Sequence, residues 1–548
     1  MSAAIPQALP ETGLASGQSF TNLVLYIAAS WLVALLLTRK SRTPTRGTEA
    51  CLPEGPKPLP LIGNLFFFSK LFKDPDNELM KLAKTYGGTC MLWFSSAPVM
   101  VISKAEDAKQ LLDKRGSVYS DRPSQNSFRE KAWPWRLVTT GVGAQFRLLR
   151  RVYHNLLGPQ QSAEFRKYQD YEAKVMMKDL VRFPDQFLAH TERFAISVIF
   201  SAVYGVRLVQ LDHPTMNEFY NVWEDMLKYF QPGTLLLDYF PILQRLPERF
   251  QPWLKLATSL RKRESALHRA FLRTLKQQVA EHKAPDCFGT ELVKIQEEED
   301  IDDEKAINIL AMLIGAGADT TSSVLQSFFK VMAMNPDKQR AAQEELDRVV
   351  GANRLPSWDD EPNLPYVRSL IKEVHRWAPI GSLGVPHATS EDDTYGGRRV
   401  PRGTIVFPNL PALSRDPAVY GADADLFRPE RFLDDDLHAN ASANHPDFRR
   451  RDHFHYGFGR RLCQGIFVAE ASLYIVIARV LWAFDIAEEP GAPPLDLQDK
   501  IAGLVTKPKP YKVRIVPRSA TAKQTVLDTM RNAKTDILDF DSVELLQE

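Results

Sequence analysis

Residues 453–481 read HFHYGFGRRLCQGIFVAEASLYIVIARVL, with one thiol, Cys463, in the middle. Glycines stand at 457, 459 and 465, Arg460 and Arg461 precede the cysteine, and apolar residues recur at helical spacing from 466 to 482. A free cysteine is by default a small, inert core residue. Here the glycines allow tight turns and close approach of backbone to something flat or bulky. Cys463 falls just before a helix amino terminus, where unpaired amides and the helix dipole stabilise a thiolate. A thiolate is a strong iron ligand, electron-rich enough to promote O–O cleavage.

Working outward, the chain has 548 residues, 44% of them apolar and 25% charged, which is globular composition with ample material for a core. The formal net charge of +2 provides no global field for nucleic acid. The four cysteines, Cys51, Cys90, Cys287 and Cys463, are widely spaced without a C-x-x-C pair. That argues against a disulfide framework or a multi-cysteine zinc site and for a reducing compartment.

Residues 20–38, FTNLVLYIAASWLVALLLT, carry no charge. As a helix they rise roughly 28 Å, close to one hydrocarbon thickness. No Lys or Arg precedes them, while Arg39, Lys40, Arg42 and Arg46 follow. A transmembrane anchor is expected, with residues 1–19 lumenal and the body cytosolic. A cleaved signal peptide fits less well, because the basic residues lie on the wrong side. Residues 39–60 form a basic and proline-rich linker, in which Pro53, Pro56, Pro58 and Pro60 favour extended backbone.

In the body, strand-like runs occur early (TCMLWF, VMVIS) and late (RRVPRGTIVFP, YKVRIVP). Helical patterns cover 161–182, 187–205, 254–282 and 302–334. The expectation is a mainly α fold with a small β part built from the two ends of the chain. In 302–334, Asp302 or Asp303 can cap the start, Glu304 adds dipole support, and Ile307, Leu310, Ala311, Ile314, Ala318 and Leu325 make one apolar stripe. Gly315 and Gly317 each cost about 1 kcal/mol against Ala in a helix interior, a cost understandable if a bound group approaches the helix backbone. Residues 519–548 read as an appended tail.

YGFGRRLCQG resembles the haem-binding signature of the cytochrome P450 family, F-x-x-G-x-R-x-C-x-G: Gly459, Arg461, Cys463 and Gly465 match, and Tyr456 stands where the family usually has Phe. Further motifs follow the family's order. AGADTT at 316–321 resembles its oxygen-activating motif, with Asp319 and Thr320 as the acid–alcohol pair. KEVHR supplies Glu373 and Arg376 of E-x-x-R, and RPERF supplies Arg431; the resemblance implies a structural cluster. Arg150, in FRLLR with Phe146 in place of Trp, and His387, in LGVPHAT, resemble positions that, with Arg461, meet the haem propionates. The resemblance covers roughly residues 50–518 and implies one large haem domain, taken as 61–518, where length alone points to several.

The resemblance implies haem b ligated by Cys463 and O2-dependent monooxygenation, with Asp319 and Thr320 delivering protons. No G-x-G-x-x-G unit follows the haem region, so electrons are expected from NADPH through a separate cytochrome reductase, docking on Arg147, Arg151 and Arg449 to Arg451. Pocket-lining segments are expected near 115–140, 205–250, 380–386 and 500–506, rich in apolar residues, which favours a small apolar substrate. The body resembles fungal microsomal members, which points to secondary metabolism at the endoplasmic reticulum membrane. Alternatives are a reductase-independent haem isomerase or dehydratase, a fatty-acid or xenobiotic hydroxylase, and a membrane-anchored haem carrier or sensor.

Overall fold

Alternating apolar residues in Thr89–Phe94 (β1) and Ala97–Ile102 (β2) form an antiparallel hairpin, with Cys90, Leu92, Val99 and Val101 buried. Its tight turn holds Ser95 at φ +55°. The computed structural model describes residues 52–539 apart from 61, 124–126, 212, 231–236, 238–240, 502 and 536; the expected anchor and most of its linker lie outside the described residues. His387–Ala388 (β3) and Ile405–Pro408 (β4) complete a four-stranded sheet in the order β1-β2-β4-β3, with β2 and β4 parallel and β4 and β3 antiparallel. The late strand does not join it. Phe484–Glu488 (β5) and Val513–Pro517 (β6) pair with each other as a separate antiparallel ribbon.

The bulk is helical: Ala144–Leu157 (α1), Arg166–Arg182 (α2), Phe187–Tyr204 (α3), Pro214–Phe230 (α4), Pro252–Ala280 (α5), Asp303–Met334 (α6), Pro336–Val349 (α7), Pro365–Trp377 (α8), Ile466–Ala483 (α9) and Ala520–Asn532 (α10). The pattern expected as one helix at 161–182 is two, Pro159–Glu164 and α2, meeting at Phe165.

Helix α6 is the central element. Asp302 caps it, its carboxylate accepting from the Lys305 amide at 2.8 Å, with Asp303 and Glu304 in the first turn. Its amino-terminal half packs in one core with α3 and α5, and its carboxy-terminal half in a second with α2 and α9. Phe328 and Phe329 are fully buried there, each worth about 2–3 kcal/mol. The two helix glycines have a packing reason within the protein. A Cβ at Gly315 would overlap the Trp223 ring of α4, and one at Gly317 would lie 2.8 Å from Ile199 of α3. Both glycines permit close helix–helix contact.

The described elements after residue 518, α10 and Leu538–Asp539, are packed into the body. Ser519 caps α10 by accepting from the Ala522 amide at 3.0 Å, and Ala522 and Val526 are buried in the core that holds α9. Leu538–Asp539 then pairs in parallel with Val206–Arg207, and Arg207 Nη1 meets Asp539 Oδ1 at 2.8 Å.

Candidate active site

Cys463 sits on a loop that its own backbone closes: its amide donates to the Tyr456 carbonyl at 2.8 Å. Gly457 and Gly459 occupy the left-handed region, at φ +80° and +46°. The close approach expected of these glycines is real at Gly459, but the partner is protein, since a Cβ there would lie 2.6 Å from the Leu112 carbonyl. At Gly465, which caps α9, a Cβ would meet nothing within 4 Å. The Cys463 side chain has accessible surface while lying deep among protein atoms, so it faces an internal space. Burial pushes its thiol up, and the Gly465 amide and the Arg150 guanidinium pull it back towards the anion. Arg150, from α1, also donates to the Leu462 carbonyl at 2.9 Å.

Arg461 spans the site. Nε donates to the Ser120 carbonyl at 2.7 Å, Nη1 to Leu137 at 3.1 Å and Nη2 to Thr140 at 2.7 Å, and the guanidinium lies 3.9 Å from the centroid of Phe146. Three of its five N–H groups are therefore used to pin the 120–140 segment. Burial lowers its pKa to about 10, with Arg150 adding repulsion. His387, on β3, directs Nδ1 to the Tyr119 carbonyl at 2.7 Å. Burial, then Arg122 and Arg461, push its pKa down to about 3.

Arg122 escaped the sequence reading. Its Nη1 donates to the carbonyls of Val385 and Pro386 at 3.0 and 2.6 Å, while its buried Nε has no partner. Burial and then Arg461 push its pKa well down, opposed by Asp121. Three guanidiniums and an imidazole thus surround the Cys463 loop with Asp121 as the facing carboxylate. The Asp-Arg-Pro step carries no periodicity that would have flagged Arg122.

On α6, Met312, Ala316, Gly317, Asp319 and Thr320 are only partly buried, although residues around them are fully buried. Thr320 Oγ1 donates to the Ala316 carbonyl at 2.7 Å. Burial raises the Asp319 carboxyl, which Lys507 opposes and Glu192 reinforces.

Glu373, Arg376 and Arg431 are brought together. Arg376 clasps Glu373 through Nε–Oε2 at 2.6 Å and Nη2–Oε1 at 2.7 Å, and Arg431 Nε reaches Oε1 at 3.1 Å. Arg376 also donates to the carbonyls of Ser414, Ala424 and Leu426. The Tyr456 ring packs on those of His375 and His453, 5.6 and 5.0 Å away.

The expected cationic docking face needs one correction. Arg451 is 3% exposed. It donates to the His453 and Gly457 carbonyls, packs against both the Phe454 and Phe458 rings, and faces Asp113 of a single π-helical turn, Lys109–Lys114. It braces the Cys463 loop from inside. Arg151 is paired with Glu299, and Arg147 and Arg449 are exposed.

The residues fit a haem. They offer a thiol facing an internal space, a capping glycine with open room, and half-buried cations including an Arg122 whose buried Nε is orphaned, to which two propionates are the natural complement. The fold and this site define a haem-thiolate protein, and the chain belongs to the cytochrome P450 family, whose model matches residues 53–515. It is 65% identical over 499 residues to cytochrome P450 monooxygenase polD of Polytolypa hystricis, covering 91% of this chain and 96% of that protein. It is 34% identical to cytochrome P450 monooxygenase fogE of Aspergillus ruber, covering 91% of each chain, and 34% identical to virE of Hypocrea virens, covering 89% of each. The chain is a monooxygenase of this family.

Proposed function

We propose that this chain is a membrane-anchored monooxygenase of fungal secondary metabolism that oxidises an apolar small molecule with electrons from an NADPH–cytochrome reductase. The observation that carries the chemistry is the accessible Cys463 thiol on a loop closed by its own amide at 2.8 Å and tied to Arg150 through the Leu462 carbonyl. Arg122, Arg461 and His387 would hold the propionates, and Tyr456 and Gly459 shape the loop. Bound there, haem b supplies activation of O2, with one oxygen atom entering the substrate and the other leaving as water.

The chain's own residues manage protons and position. Asp319, raised by burial, holds a proton more readily than a surface carboxyl and would release it towards the accessible stripe of α6. Thr320 Oγ1, bonded to the Ala316 carbonyl at rest, carries a hydroxyl that can turn towards the accessible stripe of α6. Glu373, Arg376 and Arg431 keep α8 fixed behind the loop. Of the pocket segments, Trp133 and Leu504 pack in one apolar cluster with Phe128, Trp223 and Leu260, which supports an apolar substrate; most of the FQPGTLLLDYF run, 230–240, lies outside the described residues.

The test is co-expression with a reductase in microsomes, feeding of candidate metabolites and isotopically labelled O2. NADPH-dependent product bearing one labelled oxygen is expected. Product formed without NADPH and without label would transfer the reading to the isomerase alternative. Glycosylation or protease protection of residues 1–19 in sealed microsomes tests the anchor and the endoplasmic-reticulum placement.

A further inference from the structure

Beneath the Cys463 loop three imidazoles meet. His375 comes from α8, and His453 and His455 from the segment entering the loop; one ring nitrogen of each lies within 4.8 Å of the others. The His375 and His453 rings stack, with centroids 4.4 Å and planes 14° apart, and His455 stands edge-on to them at 5.8 and 5.4 Å. His375 Nδ1 and both ring nitrogens of His455 are buried with no hydrogen-bond partner. Each such orphan costs about 1–3 kcal/mol, so three imidazoles are poor core material unless something satisfies them. Aliphatic side chains would fill the same space without that cost.

We propose that His375, His453 and His455 bind one imidazole-preferring divalent transition metal, zinc or copper(II). Three neutral nitrogens plus a water make a tetrahedral set for zinc, whereas magnesium and calcium demand oxygen ligands. Burial supports this by holding the three rings in the neutral form that ligates: His375 is lowered to about 4 and the other two fall well below their ordinary value. Nitrogens on one zinc stand about 3.3 Å apart, so the cluster must tighten and the His375–His453 stack must open. Rotation about the soft terminal torsions of the rings does both. A cleft lined by His375, His453, Asp452, Glu470 and the exposed-rim His438 gives a way in. Glu470, the carboxylate that bears on His375, offsets part of the added charge.

The site is distinct from the Cys463 thiol but adjoins it, because Tyr456 packs on two of the imidazoles and accepts from the Cys463 amide. Binding does not depend on turnover, so it is measured directly. Chelator-treated, full-length holoprotein is titrated calorimetrically with Zn2+ and then Cu2+. One ion per chain is expected, with affinity weakened at least about tenfold in His455→Ala and His453→Asn and unchanged in His438→Ala. Zinc-edge X-ray absorption on the unaltered protein keeps the proposal testable if those variants do not fold, and a first shell of three imidazoles is expected. Absence of saturable uptake, an affinity untouched in His455→Ala, or a shell of oxygen or sulfur overturns it; orphans satisfied by water alone would give the first of these results.

Discussion

Glu373 is a single carboxylate answering two guanidiniums in a region with no access to water. Removing it in Glu373→Ala leaves Arg376 buried without its carboxylate and Arg431 with Asp423 alone, and about 3–5 kcal/mol of stability should be lost, visible as a fall in the denaturant midpoint together with haem retention. Arg122→Ala should behave differently. It relieves repulsion with Arg461 in the unloaded protein but removes a partner for the propionates, so holoprotein should lose haem faster to apomyoglobin while the apoprotein melts no lower. Thr320→Ala should retain haem and divert electrons, read as product formed per NADPH; an unchanged ratio counts against the relay. The pairing of Glu373 with Arg376 was legible, because a spacing of three puts both on one helix face and the family resemblance singled the pair out. Arg122 and Arg451 were not, because what makes them matter is burial against carbonyls and rings far away in sequence. Arg451 even looked like surface charge, being the last of three consecutive arginines.

At the scale of elements, α6 was legible nearly to the residue: cap, acidic first turn and apolar stripe all follow the 3.6-residue period. The meaning of its glycines was not, since a pattern along one helix says nothing of which neighbour crosses it. Gly315→Ala gains about 1 kcal/mol in helix propensity but drives a methyl group into the Trp223 ring of α4. A net loss of about 1–3 kcal/mol is expected, measured by melting, with Trp223→Ala restoring part of it in the double variant. Independent, additive losses would show that the two side chains do not meet. Strands β1, β2, β4 and β6 were found and β5 was missed, so the pairing was misjudged: β6 shares the alternation of β1 and β2, and only three-dimensional placement decides that it pairs with β5.

For the molecule as a whole, acid stability hangs partly on buried imidazoles. His268 is 2% exposed, takes part in a 2.7 Å hydrogen bond with the Tyr204 hydroxyl, and is lowered by burial to about 3 from 6.5. A histidine depressed on folding binds its proton more tightly in the unfolded chain, so stability is intact above pH 6.5 and falls as pH drops towards 3. At pH 5 the deficit is about 2 kcal/mol. In His268→Asn, the loss between pH 7 and pH 5 should shrink by about that amount, as read from urea midpoints. The end of the described chain matters at this scale too. A protein stopped after Arg518 should lose about 3 kcal/mol with the burial of Ala522 and Val526, a loss seen by thermal melting. Because Leu538–Asp539 is hydrogen-bonded beside Val206–Arg207, the link between α3 and α4 is fastened by the described segment that leaves the ribosome after every element it braces. During synthesis that link must therefore stay unlatched until the rest of the body is made, and proteolytic trimming of the tail in the finished protein would return it to that earlier, looser condition.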